Sequence, residues 1–214
     1  MNILVVRTDK LGDFITALPT IYILKHYNTQ NRVIVCVSPI NKALAEACDF
    51  IDDVIVDDAK SSVFSLVKKI KEKKIDASVT LFSNTRVGLA QFLARVPKRI
   101  APATKIAQIF YNQRVKQRRS EVRMAEFEYN IELARKLFPE IKTKYKKPLL
   151  GFHDSKHIYD TFCINNDINR DVMGFHVGFG GSSDANWSTQ EYEKLIRGVL
   201  KEKKYQVVLT FGPD

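Results

Sequence analysis

Met1-Asn-Ile-Leu-Val-Val-Arg7-Thr-Asp9-Lys10-Leu-Gly12-Asp13-Phe-Ile15 opens the chain and decides its fold. The unbroken apolar run over 3–6 suits a strand buried on both faces. The run ends in a short polar turn over 7–11. Gly12 closes that turn, and Asp13 stands where a helix begins. Strand, turn and helix N-terminus in this order set polar groups at the carboxyl edge of a parallel sheet, where α/β proteins bind their ligands.

The same alternation continues outward from this stretch. Phe14, Ala17, Leu18, Ile21 and Leu24 fall at helical spacing, predicting a helix over 14–26 with Pro19 inside it. Strands follow at 32–37, 53–56, 77–82 and 99–101. They are separated by helices at 41–48, 63–73 and 85–94. Strand–helix alternation of this kind implies a parallel sheet covered on both faces. The segment 105–119 has no regular period. A helix is expected over 120–137, capped by Ser120, with Met124, Phe127, Ile131 and Ala134 as its apolar stripe. The polar, basic stretch over 142–154 reads as a connection, and 153–162 as a short helix. A second α/β unit then begins: a strand at 172–177, a glycine-rich turn from Gly178, a helix capped by Ser188 with Glu191 three residues on, and a strand at 206–211. The organisation expected is a first domain over 1–150, a linker over 151–170, and the start of a second domain over 171–214.

The chain has 214 residues and a net charge of +10, from 34 Lys and Arg against 24 Asp and Glu. The excess favours anionic partners such as phosphorylated sugars, an anionic membrane surface or nucleic acid. No nucleic-acid motif accompanies the basic residues, and few aromatics are interleaved with them, so no nucleic-acid partner is expected. No apolar run approaches the roughly 18 residues of a membrane span, and the N-terminus lacks signal-peptide character. A cytoplasmic protein is expected. Cys36, Cys48 and Cys163 are far apart and lack metal-ligand spacing; buried, inert thiols are the reading. His153 and His157, four apart, could share a helix face but have no further ligands, so no metal is expected.

Three stretches together resemble the family 9 glycosyltransferases, the lipopolysaccharide heptosyltransferases and their relatives. The first is Arg7-Thr-Asp-Lys-Leu-Gly-Asp13-Phe-Ile-Thr-Ala-Leu-Pro19. The second is Asn112-Gln-Arg-Val-Lys-Gln-Arg-Arg119 with Glu126 and Tyr129-Asn130. The third is His176-Val-Gly-Phe-Gly-Gly-Ser-Ser-Asp-Ala-Asn-Trp187, followed by Thr210-Phe-Gly-Pro213. The resemblance implies an α/β fold of GT-B type, two facing Rossmann-like domains with the active site in the cleft. Here the N-terminal domain would be complete and only the first β-α-β unit of the second present. It also implies transfer of a sugar from a nucleotide-diphosphate sugar, usually ADP-heptose, to the lipopolysaccharide or lipooligosaccharide inner core. That reaction inverts the anomeric centre, uses no metal or other cofactor, and occurs at the cytoplasmic face of the inner membrane, where the protein would sit peripherally.

On this resemblance Asp13 is the catalytic general base that removes a proton from the acceptor hydroxyl. A purely structural Asp13 would complement the helix dipole instead. Gly12 would let the acceptor approach the backbone. Arg7 and Lys10 would meet acceptor phosphates, as would Arg114, Arg118 and Arg119, the densest basic group, where guanidinium groups offer bidentate contacts. Gly180, Gly181, Ser182 and Ser183 would present backbone N–H groups to the donor diphosphate. Two features depart from the family pattern. Many heptosyltransferases carry a Lys two residues before the Trp, where this chain has Ala185. The family's Asp-x-Gly-x-x-His nucleotide segment is expected beyond Asp214. The alternative is therefore a non-catalytic remnant or binding module that keeps the acceptor domain alone.

Overall fold

A computed structural model describes residues 1–104, 106–142, 144–145, 149–151, 154–177 and 187–211. The chain divides into two compact units, 1–151 and 152–214. Helix α6 (Ser155–Asn165) falls in the second unit.

In the first unit, β1 (Asn2–Arg7), β2 (Arg32–Val37), β3 (Asp53–Val56), β4 (Ala77–Thr80), β5 (Lys98–Pro102) and β6 (Gln113–Val115) form one sheet in the order β3-β2-β1-β4-β5-β6. All five pairings are parallel; Ile3 lies opposite Val33 on one side of β1 and Ala77 on the other. The apolar run of β1 is explained by the two faces it serves. Ile3 and Val5 pack with Phe14, Ile21 and Leu24 of α1 (Leu11–Tyr27) and with Ile131, Leu133 and Ala134 of α5 (Glu126–Leu137). Leu4 and Val6 turn to the opposite face and meet Leu66, Val67 and Ile70 of α3 (Val63–Glu72) and Val87 and Ala90 of α4 (Thr85–Leu93). Successive strand residues alternate faces, so a strand sandwiched between helix layers must be apolar at every position. Each fully buried Ile, Leu or Phe in these two layers contributes about 1.5–3 kcal/mol of transfer free energy.

Three elements differ from the sequence expectation. Helix α1 begins at Leu11, so Gly12 and Asp13 lie inside its first turn and Gly12 closes nothing. The helix runs through Pro19, whose ring removes one backbone donor; the buried face from Phe14 to Leu24 carries that loss. The segment expected to be irregular contains β6, a three-residue edge strand pairing with Ile100–Pro102. Gln113-Arg-Val115 has no alternation to reveal it, and its pairing is tertiary. Helix α5 starts at Glu126, six residues later than expected. Val122, in the left-handed region at φ 46°, interrupts the path. Ser120 lies in a 3-10 turn and is no cap; the Ala125 N–H instead donates to Glu128 Oε2 at 2.7 Å. A short helix α2 (Lys42–Glu46) completes the unit.

In the second unit β7 (Asp171–His176) and β8 (Tyr205–Thr210) pair in parallel around α7 (Thr189–Lys201). The capping box expected at Ser188 is formed: its Oγ accepts from Glu191 N at 3.3 Å, and Glu191 Oε2 accepts from Ser188 N at 2.9 Å. No described residue of α6 or α7 is buried. The glycine turn with Gly180, Gly181, Ser182, Ser183 and Ala185, and also His153, lie outside the described residues.

Candidate functional site

The strand order reverses between β1 and β4, and α/β sheets of this order bind ligands in the crevice at that point, beyond the carboxyl ends of the strands. Arg7 is the last residue of β1, and the turn over 8–10 leads into α1, with Lys10 at its N-cap. Neighbouring elements hold this turn from both sides. The Asp9 carbonyl accepts from Ser38 Oγ at 3.2 Å and Asn41 Nδ2 at 3.0 Å, beyond the end of β2. Across the reversal, Asn84 caps α4 through Val87 N at 2.8 Å and points its Nδ2 at Thr8 Oγ1, 3.5 Å away.

The centre of the site is the Arg7 guanidinium, which is only 3% exposed. Each of its nitrogens serves a different carboxylate: Nε donates to Asp9 Oδ1 at 2.8 Å, Nη2 to Asp13 Oδ1 at 2.9 Å, and Nη1 to Glu126 Oε1 at 3.0 Å. Nη1 also reaches Asn130 Oδ1 at 3.4 Å. Asn130, fully buried on α5, donates through Nδ2 to Thr16 O at 3.2 Å, and Thr16 Oγ1 donates to Asp13 O at 2.7 Å. Arg119 joins from the other side. It binds Glu126 Oε1 through Nη1 and donates to Gln117 Oε1 from Nε at 3.2 Å and Nη2 at 3.0 Å; its guanidinium lies 5.5 Å over the Tyr129 ring.

Two guanidinium groups thus face three carboxylates in a half-buried space. Burial works against the charge of Arg7, but Asp9, Glu126 and Asp13 outweigh it and hold its pKa above the ordinary value. Burial pushes the Asp9 carboxyl up, partly offset by Arg7. Burial lowers the Arg119 pKa, with Glu126 opposing that shift and Arg7 adding to it. The Asp13 side chain is 40% exposed, and among the described residues its Oδ2 takes no hydrogen bond. One carboxylate oxygen is tied to Arg7, and the other is left without a partner among the described residues. Beside it, a Cβ built on Gly12 would meet nothing within 4 Å.

The residues expected to bind ligand separate on folding. Arg7, Asp13 and Arg119 come together. Arg7, expected to meet acceptor phosphates, is instead buried with its nitrogens committed to protein carboxylates. Lys10 and Gly12 are exposed at the start of α1. Arg114 lies on edge strand β6 and donates from Nε to Tyr111 O at 3.1 Å. Arg118 is exposed and shares Glu121 with Arg123, at 3.1 Å and 2.5 Å. Within this basic run Arg119 thus joins the Arg7 cluster, while Arg114 and Arg118 take partners elsewhere. Beside Arg119, at the carboxyl ends of β4 and β5, is a cavity of about 320 Å³ bordered by Leu81, Ser83, Thr104, Gln117 and Ser120. Glu126, Asn130 and Thr16 lie in the stretches that carry the resemblance, but the sequence alone gives them no role. Glu126 and Asn130 are four apart on a helix, and an Asn between the buried Tyr129 and Ile131 is the signal that could have marked them.

Among the described residues no cluster of His, Cys, Asp or Glu could hold a metal ion, and no helix is long and apolar enough to cross a membrane. Trp187 is 54% exposed, with its ring 5.7 Å from that of Tyr192. Cys36 and Cys48 are buried as expected, whereas Cys163, on α6, is partly exposed; burial pushes the Cys48 thiol up to about 11 and Cys36 higher still.

No protein-family model matches the chain. It is 38% identical to a candidate glycosyltransferase of Haemophilus influenzae over 99% of this chain and 64% of that protein. Its fold superimposes on a glycosyl transferase family 9 structure from Veillonella parvula with a TM-score of 0.83 at 16% identity, covering 99% of this chain and 62% of the other. The E. coli ADP-heptose lipopolysaccharide heptosyltransferase II gives 0.79 at 20% identity, covering 98% and 64%. The chain thus spans a little under two thirds of each of these proteins. The chain is thus a sequence relative of the Haemophilus glycosyltransferase candidate, and its α/β fold is that of the family 9 glycosyltransferases.

Proposed function

We propose that the chain forms the acceptor-side domain, and the beginning of the donor-side domain, of a glycosyltransferase. The reaction proposed moves a sugar, heptose in the first instance, from a nucleotide-diphosphate donor such as ADP-heptose to an anionic, lipid-linked lipopolysaccharide or lipooligosaccharide core. Asp13 is the general base. As the acceptor oxygen attacks the anomeric carbon, its proton passes to Asp13 Oδ2, and the nucleotide diphosphate leaves from the opposite face with its bonding electron pair. The anomeric configuration inverts, and no metal takes part. A carboxylate within hydrogen-bond reach of the attacking hydroxyl suffices for the proton transfer. Lys10, Arg114, Arg118 and Arg119 are the cations proposed to meet acceptor phosphates, and Gly180, Gly181, Ser182 and Ser183 the donor phosphate turn. The protein would work at the cytoplasmic face of the inner membrane, held there by its lipid-linked acceptor.

The observation carrying this reading is Asp13 itself. It sits at the strand-order reversal, tied through Oδ1 and without a partner at Oδ2 among the described residues, beside Gly12, where an added Cβ would meet nothing within 4 Å. Calorimetry with ADP-heptose on this chain and on one extended to the length of its relatives, followed by turnover of Asp13→Asn in the extended chain, tests it. Binding of the donor by the extended chain and loss of at least about 100-fold in its turnover are expected. Unimpaired turnover by Asp13→Asn would remove Asp13 as the base. Absence of donor binding would leave a binding module with an acceptor domain only.

A further inference from the structure

We infer that Arg7 is a positioning residue: its buried guanidinium fixes the Asp13 carboxylate in the orientation from which Oδ2 meets the acceptor hydroxyl. The inference rests on the proposed role of Asp13 and goes further, because it assigns work to a residue that touches no ligand.

The geometry has three parts. First, Arg7 is confined: it is 3% exposed and is the last residue of a central strand, paired with Val37 of β2. Second, its three nitrogens bind three carboxylates arriving from different places: Asp9 from the turn, Asp13 from α1 and Glu126 from α5. Only a planar guanidinium can donate in three in-plane directions at once; an ammonium at the same point would hold one or two of these groups. Third, the far partner is itself braced. Glu126 is bound by Arg119 as well, and Asn130 ties Arg7 to Thr16 in the second turn of α1. An exposed Asp at a helix start otherwise explores several rotamers. Here both its carbonyl, through Thr16 Oγ1, and its Oδ1 are tied. Ordering completed during folding is ordering that the reaction need not supply, and a misplacement of about 1 Å in such a group can cost about 100-fold in rate.

Arg7 has a second effect. Without its charge, Asp9, Asp13 and Glu126 would lose their shared counter-ion in a half-buried space, leaving Arg119 to face Glu126 alone. Like charges so close together would swing Asp13 outward.

The test has two arms. In the ¹⁵N-arginine-labelled chain without substrate, Asp13→Asn should shift the side-chain Nη resonances of Arg7 and leave those of Arg86, which pairs with Asp57, in place. Unmoved Arg7 resonances would overturn the clamp. This arm needs no Arg7 variant, so it stands even if Arg7→Lys fails to fold. In the second arm, in a chain extended to the length of its relatives, with ADP-heptose and a lipopolysaccharide-core acceptor, Arg7→Lys should lower kcat by about 10–100-fold while the donor KM stays within about twofold. In an Asp13→Asn background the same substitution should cost almost nothing further, because both variants remove one function. Losses that multiply would show that Arg7 acts through the fold at large and would overturn the inference. Full turnover by Asp13→Asn alone would instead remove Asp13 as the base, and the resonance arm would still decide the clamp.

Discussion

Gly12→Ala separates what the fold needs at the mouth of the site from what a ligand needs there. Gly12 lies in the first turn of α1 with no left-handed backbone angle, and an added Cβ would touch nothing within 4 Å. The fold therefore gives no reason for glycine. Replacing a helical glycine with alanine restricts the unfolded chain and favours helix, together worth about 0.4–1 kcal/mol. The lower half of that range applies, because the first turn is not a helix interior. A gain of about 0.5 kcal/mol raises the melting temperature of a domain this size by about 1–2 °C. The same methyl would stand where the acceptor is proposed to approach the backbone. Overpacking a tight contact costs about 1–3 kcal/mol, which is roughly 5–150-fold in acceptor affinity. Differential scanning calorimetry and an acceptor titration read the two effects separately. A fall in melting temperature would refute the helix-geometry reasoning. A rise with unchanged acceptor affinity would refute the idea that glycine is kept for the ligand.

Gly88→Ala should do the opposite, since its Cβ would lie 3.1 Å from Phe110 Cδ2 and 3.2 Å from Phe110 Cβ. The expected loss is about 1–3 kcal/mol by chemical denaturation, and a neutral result would mean that the 3-10 turn carrying Phe110 yields freely. Asp9 bears on pH. Its carboxyl is raised in the folded state, chiefly by burial, so the folded form holds this proton more tightly than the unfolded form. Its contribution is therefore fully present below the ordinary carboxylate pKa and is lost as pH rises through the raised value. Asp9→Asn should remove that loss: measured by urea unfolding, the variant should gain stability relative to the parent between about pH 4 and 7. A difference that stays flat across this range would contradict the assignment.

Much of the architecture was legible because burial writes itself into local patterns. The run Ile3–Val6 predicts a strand covered on both faces, and the two core clusters divide its residues alternately between them. Phe14, Ala17, Leu18, Ile21 and Leu24 all become buried on α1. The box at Ser188 and Glu191 forms as read, since a cap involves neighbours in sequence. β6 carries no local signal, because its three mixed residues become a strand only by pairing with β5. Helix α5 starts later than its sequence predicts because the left-handed backbone at Val122 interrupts the path after Ser120.

The site divides along the same line. By itself the sequence determined that a polar turn with an acid at its end leaves the first strand, and that Asp13 stands at a helix N-terminus. These follow from hydrophobic period and turn chemistry, which act over a few residues. Only the tertiary structure decided what surrounds that acid. Arg7 and Glu126 are 119 positions apart, yet their side chains meet at 3.0 Å because α5 packs across the sheet onto α1. A charge run in sequence has no direction: Arg119 turns inward to Glu126, and Arg118 turns outward to Glu121. The inward turn of Arg7 likewise depends on three carboxylates brought together from separate elements by the hydrophobic layers. No local pattern in the chain records that convergence.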